Sequence, residues 1–108
     1  MNGLIMIKNN LRPIHPGEIL REEFLLPLGL SANALSLALR VPATRIHEVV
    51  RQRRGITSDT AIRLARYFNT TPQFWLNLQI NFNLKQTSIQ MGDIIDREIQ
   101  PMQVEARI

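Results

Sequence analysis

The sequence of 108 residues contains no cysteine, which excludes disulfides and thiolate metal sites. No stretch of 18 consecutive apolar residues occurs, so nothing in the chain predicts a membrane span. The first eight residues are too short and too weakly patterned for a signal peptide. Together these absences favour a protein of the reducing cytoplasm that has no membrane partner.

The motifs that support catalysis are also missing. The sequence has no glycine-rich phosphate loop, no paired nucleophile and base, and no residues at metal-ligand spacing. Its two histidines, His15 and His47, fall in different predicted helices and have no third ligand at a suitable distance along the chain. We therefore expect no enzyme, no metal and no cofactor, and we interpret His15 as a capping or packing residue.

Alternation of apolar and polar residues, the pattern of a strand, is not sustained anywhere, so the sequence predicts an all-α bundle of five helices. Pro16 with Gly17 opens the first helix, and Pro27 with Gly29 ends it. Ser31 is suited to cap the second helix. The third helix follows after a short turn.

The fourth predicted helix is capped by Thr57 or Ser58 and ends at Asn69, a residue suited to the left-handed conformation. Thr71 caps the fifth, which we expect to continue to about Arg97 as an extended C-terminal helix. The residues of these two helices predicted to face the core are Ala61, Ile62, Leu64, Ala65, Phe68, Phe74 and Trp75, and Leu78 and Phe82 continue the helical spacing.

The segment from Leu35 to Val49 has the residue pattern of a helix-turn-helix. Two helices that cross steeply need apolar residues at facing positions and a small residue where their backbones approach, and Ser36 supplies the small one. Pro42 is suited to begin the second of these helices. The facing apolar residues are Leu35, Leu39, Val41, Ile46 and Val49. The pattern predicts that the outer face of the second helix enters a DNA major groove.

Positive charge is concentrated around this segment. Residues 40–66 contain seven arginines against Glu48 and Asp59, a net charge of +5, which leaves −1 for the rest of a chain whose total is +4. Such a concentration over one motif is typical of proteins that bind nucleic-acid phosphates.

Three blocks of sequence carry a family resemblance. They are residues 15–25 with 27–31, residues 54–65 and residues 74–79. In this order they resemble the HigA-type antitoxins, also called VapI-type plasmid-maintenance antidotes, and the resemblance covers about residues 12–90.

The resemblance implies a lambda-repressor-like helix-turn-helix of the XRE kind, and two activities. Such antitoxins of type II modules bind and neutralise a cognate toxin, commonly a HigB/RelE-like mRNA endonuclease. They also bind operator DNA, usually as homodimers, and repress their own operon. We accordingly expect an N-terminal arm at residues 1–10, a DNA-binding domain with a C-terminal dimerisation segment at residues 11–98, and a tail at residues 99–108.

Arginine and threonine side chains suit the outer face of the recognition helix, because arginine bonds guanine bidentately and the threonine methyl contacts thymine. The candidates for base contacts are Ala43, Thr44, Arg45, His47 and Arg51. Phosphates suit the free N–H groups at the start of the second helix and the arginines of the loops. The candidates for phosphate contacts are Ser31, Asn33, Arg40, Arg53 and Arg54.

The chain departs from its relatives at Arg40 and Gln52, where they usually or often have glycine. A residue other than glycine with positive φ costs about 1 kcal/mol or somewhat more, so we expect both positions to be strained or shaped differently. Arg40 alternatively serves a phosphate contact. Two other functions stay open: a stand-alone repressor whose toxin gene is lost, and a toxin-binding module that no longer binds DNA.

The last part of the fifth helix carries apolar residues that have little remaining core to enter. We therefore expect them at a dimer interface. The candidates are Phe82, Ile89, Ile94 and Ile95.

Overall fold

The computed structural model describes residues 12–104, and within this range the chain forms five helices and no strand. Helix α1 covers residues 16–28, and the others are α2 (Ala32–Leu39), α3 (Ala43–Val50), α4 (Ser58–Phe68) and α5 (Pro72–Glu98). The predicted all-α fold is thereby confirmed. The arm predicted for residues 1–10 lies outside the described residues, as do the last four residues of the predicted tail.

Helix α1 contains a wide π-helical turn in its middle. An α-helical segment, Pro16–Ile19, leads into the π-helix Leu20–Leu25, and a short α-helical turn, Leu26–Leu28, completes it. In an ordinary α-helix, positions five apart point about 140° away from each other. The wider π turn brings the buried side chains of Leu20 and Leu25 closer to one face.

The helix boundaries follow the capping residues that the sequence predicts. The hydroxyls of Ser31, Thr57 and Thr71 each accept the backbone N–H of the third residue onward, at 3.0, 3.4 and 3.1 Å. Gly29 and Asn69 end their helices in the left-handed conformation, with φ of 62° and 60°. Pro42, which was expected at the first helical position of α3, stands one residue earlier as its N-cap.

The core lies between the first four helices and the first turns of α5. Trp75 is fully buried, and its Nε1 donates a hydrogen bond to the Thr70 hydroxyl at 2.8 Å. The ring centroid of Phe24 lies 5.0 Å from that of Trp75 and 4.8 Å from that of Phe68. The other core residues that are completely buried include Leu20, Leu35, Ile46, Val49 and Leu64.

Two residues predicted to face the core do not enter it. Ile62 is 58% exposed, because it stands about 100° around α4 from Ala61 and so falls outside the buried stripe. Phe74 is 37% exposed and lies at the rim, where its ring meets that of Trp75 edge-on at 5.0 Å.

Helix α5 continues well beyond the core. It contains 27 residues, which corresponds to a length of about 40 Å. In its outer half, residues 84–98, Leu84 and Ile89 are 63% and 62% exposed. No helix among the described residues is long and apolar enough to cross a bilayer. The helix ends at Glu98, one residue beyond the predicted end, and residues 99–104 continue without helical structure.

Candidate nucleic-acid interface

Helices α2 and α3 pack together through the face that the sequence predicts. Leu35 and Leu39 of α2 and Ile46 and Val49 of α3 are all at least 95% buried. Ser36 is 1% exposed, and its hydroxyl donates to the carbonyl of the third residue before it at 2.6 Å. This small side chain satisfies its own polar group within α2, so the contact with α3 stays close and apolar.

The turn between α2 and α3 passes through Arg40, which has φ of 61° and ψ of 44°. Its N–H bonds the carbonyl of Leu37 at 3.2 Å, and the N–H of Val41 bonds the carbonyl of Ser36 at 3.1 Å. These two bonds end α2 in the way that glycine usually does. The expectation of a strained backbone at this position is therefore confirmed, while the arginine side chain is exposed to solvent.

The exit from α3 repeats this arrangement at Gln52, whose φ is 63°. The N–H of Gln52 bonds the carbonyl of Val49 at 2.9 Å, and the N–H of Arg53 bonds the carbonyl of Glu48 at 2.8 Å. The side chains of Arg53 and Arg54 point outward from the loop that follows. Gln52 therefore ends α3 with a left-handed turn, and the exposed Arg53 and Arg54 follow directly after it.

The predicted base contacts lie away from the packed face of α3. Thr44 and Arg51 are exposed, and Ala43, Arg45 and His47 are half-buried. Three of the five lie in the first turn of α3, which is the part of a recognition helix that contacts base edges in helix-turn-helix complexes.

Two of the predicted phosphate contacts, Ser31 and Asn33, lie at the start of α2. The Ser31 hydroxyl accepts the N–H of Ala34 as a helix cap, and its own O–H stays free to donate. Asn33 is exposed, as are Arg40, Arg53 and Arg54. A helix N-terminus with accessible donors attracts an anion through its aligned peptide dipoles.

Sequence reasoning assigned no role to Asp59, which is the centre of an ion-pair network. One of its carboxylate oxygens, Oδ2, accepts from Nη1 of Arg45 and from Nε of Arg63, the latter at 2.9 Å. Nη1 of Arg63 also donates to the carbonyl of Leu39 at the end of α2, at 2.8 Å. The network therefore connects the recognition helix, α4 and α2. Hydrogen bonds first from Arg63 and then from Arg45 lower the pKa of Asp59, which keeps its charge.

Sequence reasoning also gave no role to Gln79, which bonds to the basic loop, the segment between α3 and α4 that contains Arg53 and Arg54. Its side-chain oxygen accepts the backbone N–H of Ile56 at 2.7 Å. A Cβ added at Gly55 would lie 2.7 Å from the same oxygen, so a larger residue there would displace the Gln79 side chain from this bond. Gln79 lies on α5, 23 residues after Ile56, so local spacing in the sequence gave no signal for this contact.

His15 has the capping and packing role that the sequence indicates. Its Nδ1 accepts the N–H of Gly17 at 2.9 Å, which starts α1. Its ring meets that of Phe82 edge-on, with centroids 4.9 Å apart. Phe82, a predicted dimer contact, thus lies half-buried against its own chain. Burial lowers the pKa of His15 and favours the neutral ring that the cap requires.

Residues 12–104 contain no group of three or more histidine, aspartate or glutamate side chains placed to hold a metal. A helix-turn-helix with arginines on its outer side and in its loops defines a DNA-binding class of protein.

Comparison with known proteins agrees with this class. The helix-turn-helix family model matches residues 20–75. The chain is 52% identical over 100 residues to virulence-associated protein I of Dichelobacter nodosus, which covers 93% of this chain and 91% of that protein. A solved structure of the Pseudomonas aeruginosa antitoxin HigA with the higBA promoter has 50% identity and a TM-score of 0.83, and the match covers 85% of this chain and all of that one.

A second solved structure, antitoxin GraA in complex with its operator, has 47% identity and a TM-score of 0.82, and covers 86% of this chain and 94% of that one. The chain belongs to the helix-turn-helix family, within the group of HigA-type and VapI-type antitoxins. The resemblance found in the sequence is thereby confirmed, and membership of a family of regulators agrees with the expectation of no enzyme.

Proposed function

We propose that this chain is a cytoplasmic antitoxin that binds the operator of its own operon through α3 and also neutralises a cognate toxin. The arginines around the helix-turn-helix are the observation that carries the DNA-binding part. Arg51, Arg53 and Arg54 follow one another around the exit of α3, and all three are exposed. Relatives that share this fold were solved with a promoter or an operator, which supports the same function for this chain.

In this proposal the base contacts come from α3 and the phosphate contacts from α2 and the loops. The base contacts are made by Ala43, Thr44, Arg45, His47 and Arg51, and the phosphate contacts by Ser31, Asn33, Arg40, Arg53 and Arg54. The backbone at Arg40 and Gln52 supports this proposal. Both residues adopt the left-handed conformation that glycine usually supplies, so both turns follow the course that a glycine would give. The two departures from the family pattern are therefore compatible with ordinary DNA binding.

The proposal includes a homodimer joined through α5 from Ile80 onward, mainly through its outer half. Four exposed apolar side chains, Ile80, Leu84, Met91 and Ile95, recur at spacings of four, seven and four residues, which places them along one side of the helix. Ile94 flanks this stripe, whereas Ile89 lies on the other side of α5. A dimer would present two recognition helices to successive major grooves, roughly 34 Å apart.

Operator binding is tested by titrating the protein with a duplex that carries the DNA upstream of its own gene. Replacing Arg45 or Arg51 by alanine should weaken binding by about 1–3 kcal/mol, the value of a bidentate base contact. Arg21→Ala is the matched control, because it removes an arginine that is paired with Glu22 on α1, outside the interface. The salt dependence should show a slope of about −5 if some six phosphates are contacted.

Unchanged binding in both α3 variants would contradict the placement of the recognition helix. Loss of binding in the control to the same extent would show that overall charge, not this interface, determines affinity. A protein that binds toxin but does not bind the duplex at any salt concentration would be a toxin-binding module alone.

The toxin partner is tested by co-expression with the product of the adjacent gene. We expect a HigB/RelE-like mRNA endonuclease, and the purified complex should have a mass that contains both chains. A neighbour that neither copurifies nor inhibits growth when expressed alone would favour a stand-alone repressor.

A further inference from the structure

The network around Asp59 gives Arg45 a fixed partner. Most cations on the outer side of the motif have no comparable restraint: Arg53 is 66% exposed and lies 4.0 Å from Glu48. The Arg45 side chain is only 28% exposed, and its Nη1 is bonded to the Asp59 carboxylate. Among the predicted base contacts, the Arg45 guanidinium is thus already oriented before DNA binds.

The partner of Arg45 is itself anchored. Asp59 stands in the first turn of α4, and its carboxylate also accepts from Nε of Arg63 at 2.9 Å. Arg63 cannot follow a moving carboxylate freely, because its Nη1 donates to the carbonyl of Leu39 at 2.8 Å. The position of Arg45 is therefore set by a chain of contacts that ends on the backbone of α2.

We propose that Asp59 is a positioning residue that orients Arg45 for base contact and thereby increases the sequence specificity of operator binding. The inference rests on the proposed function, since it requires that Arg45 contact a base. Asp59 itself touches no base in this proposal.

The physical reason is the cost of ordering a flexible side chain on binding. A guanidinium has five N–H donors in a planar fork, and the Asp59 carboxylate uses one of them, at Nη1. The other donors remain for the two acceptors of a guanine edge. Because the ion pair fixes the side chain in advance, binding loses less conformational entropy, and the gain corresponds to about two- to tenfold in affinity.

The same carboxylate gives no advantage on unrelated DNA. Non-specific binding depends on phosphate contacts, and the negative charge of Asp59 weakens the attraction for phosphates to the same extent on operator and on unrelated DNA. Asp59 should therefore raise the ratio of operator affinity to non-specific affinity.

The test compares affinities for the upstream duplex and for a duplex of scrambled sequence, using the full-length protein. Asp59→Asn keeps the size of the side chain and removes its charge, and should lower the affinity ratio by about two- to tenfold. Glu23→Gln is the matched control, because it removes one carboxylate from an exposed position of α1. The control should leave the ratio unchanged. Circular dichroism checks that both variants are folded.

A second pair of variants separates positioning from a general structural role. In an Arg45→Ala background, Asp59→Asn should have no further effect on the ratio, because the side chain that Asp59 orients is gone. Base preference should also relax at one position of each half-site in Asp59→Asn, namely the position that Arg45→Ala affects.

Three outcomes are decisive. An unchanged ratio in Asp59→Asn would overturn the inference, and so would an equal loss with and without Arg45, since Asp59 would then act through the packing of α4. A loss that disappears in the Arg45→Ala background supports it. Failure of the unmodified protein to prefer the upstream duplex is a separate result, which contradicts the proposed function itself.

Discussion

The bundle and the outer half of α5 contain the same kinds of apolar residue in opposite surroundings. Ile46 on the recognition helix is completely buried, whereas Ile95 on α5 is 42% exposed. In the bundle such side chains hold the recognition helix in place. In the outer half of α5 they form a surface that the described chain does not cover, which agrees with the proposed dimer interface.

The largest difference is expected from removing the same side chain in the two regions. Ile46→Ala should lower the free energy of unfolding by about 2–5 kcal/mol, because it leaves a cavity beneath the recognition helix. Ile95→Ala should change the free energy of unfolding of the dilute monomer by about 0.5 kcal/mol or less. Urea unfolding monitored by circular dichroism measures both values.

Association measured on the same two variants should differ in the opposite sense. Sedimentation equilibrium should show weaker dimerisation for Ile95→Ala and an unchanged dimer for folded Ile46→Ala. Equal losses of stability in the two variants would mean that the outer half of α5 has a core of its own, contrary to its exposure.

A second difference concerns glycine. A Cβ at Gly17 would lie 1.9 Å from the carbonyl oxygen of Val49, so Gly17→Ala must push α1 away from α3. We expect a loss of about 1–3 kcal/mol in the free energy of unfolding. A Cβ at Gly92 on α5 would meet nothing within 4 Å. There alanine should stabilise the helix by about 0.5–1 kcal/mol, detected as slower amide exchange in residues 84–98.

If both alanine variants were destabilising, Gly92 would have to lie against a partner chain, which would locate the dimer contact. If both were neutral, the close approach of α1 to α3 at Gly17 would be contradicted.

The smallest effect is expected from pH and is confined to the bundle. Burial lowers the pKa of His15 below its ordinary 6.5, so the unfolded chain binds a proton more readily than the folded one. The stabilisation is fully present above that value and is lost as the pH falls through and below it. Unfolding in urea at pH 7.5, 6 and 5 should show this decline.

His15→Asn should remove the decline, because asparagine caps a helix without titrating in this range. His47→Asn is the matched control and should retain it. A decline that persists in His15→Asn would assign the effect to another group. Glu18, whose pKa is lowered chiefly by its hydrogen bond from Arg12, causes a separate loss only at more acidic pH.

The sequence predicted the helices well because their signals are local. Caps such as Ser31 and Thr71 and terminators such as Gly29 act on neighbours three or four residues away. The prediction for Ile62 was wrong because an apolar residue beside a buried stripe looks like part of it in sequence, whereas the width of the neighbouring helix decides which side chains are covered.

The candidate interface was predictable in outline only. The pattern of α2 and α3 placed Thr44 and Arg51 outside, and the structure agrees. The pair of Asp59 with Arg63 is four residues apart and was visible in principle as a helical ion pair. The bond from Arg45 to Asp59 joins residues 14 positions apart, and only the packing of α3 beside α4 brings them together.

By itself the sequence determined the all-α class, the order and caps of the helices, the helix-turn-helix and the concentration of arginines around it. These follow from spacing and charge, which are properties of the chain before it folds. Tertiary structure alone decided that Arg45 has a fixed carboxylate partner, that Gln79 holds the basic loop, and which apolar residues of α5 remain uncovered. Such contacts depend on how helices distant in sequence pack against each other. Local propensity does not specify the distance or the crossing angle between two helices.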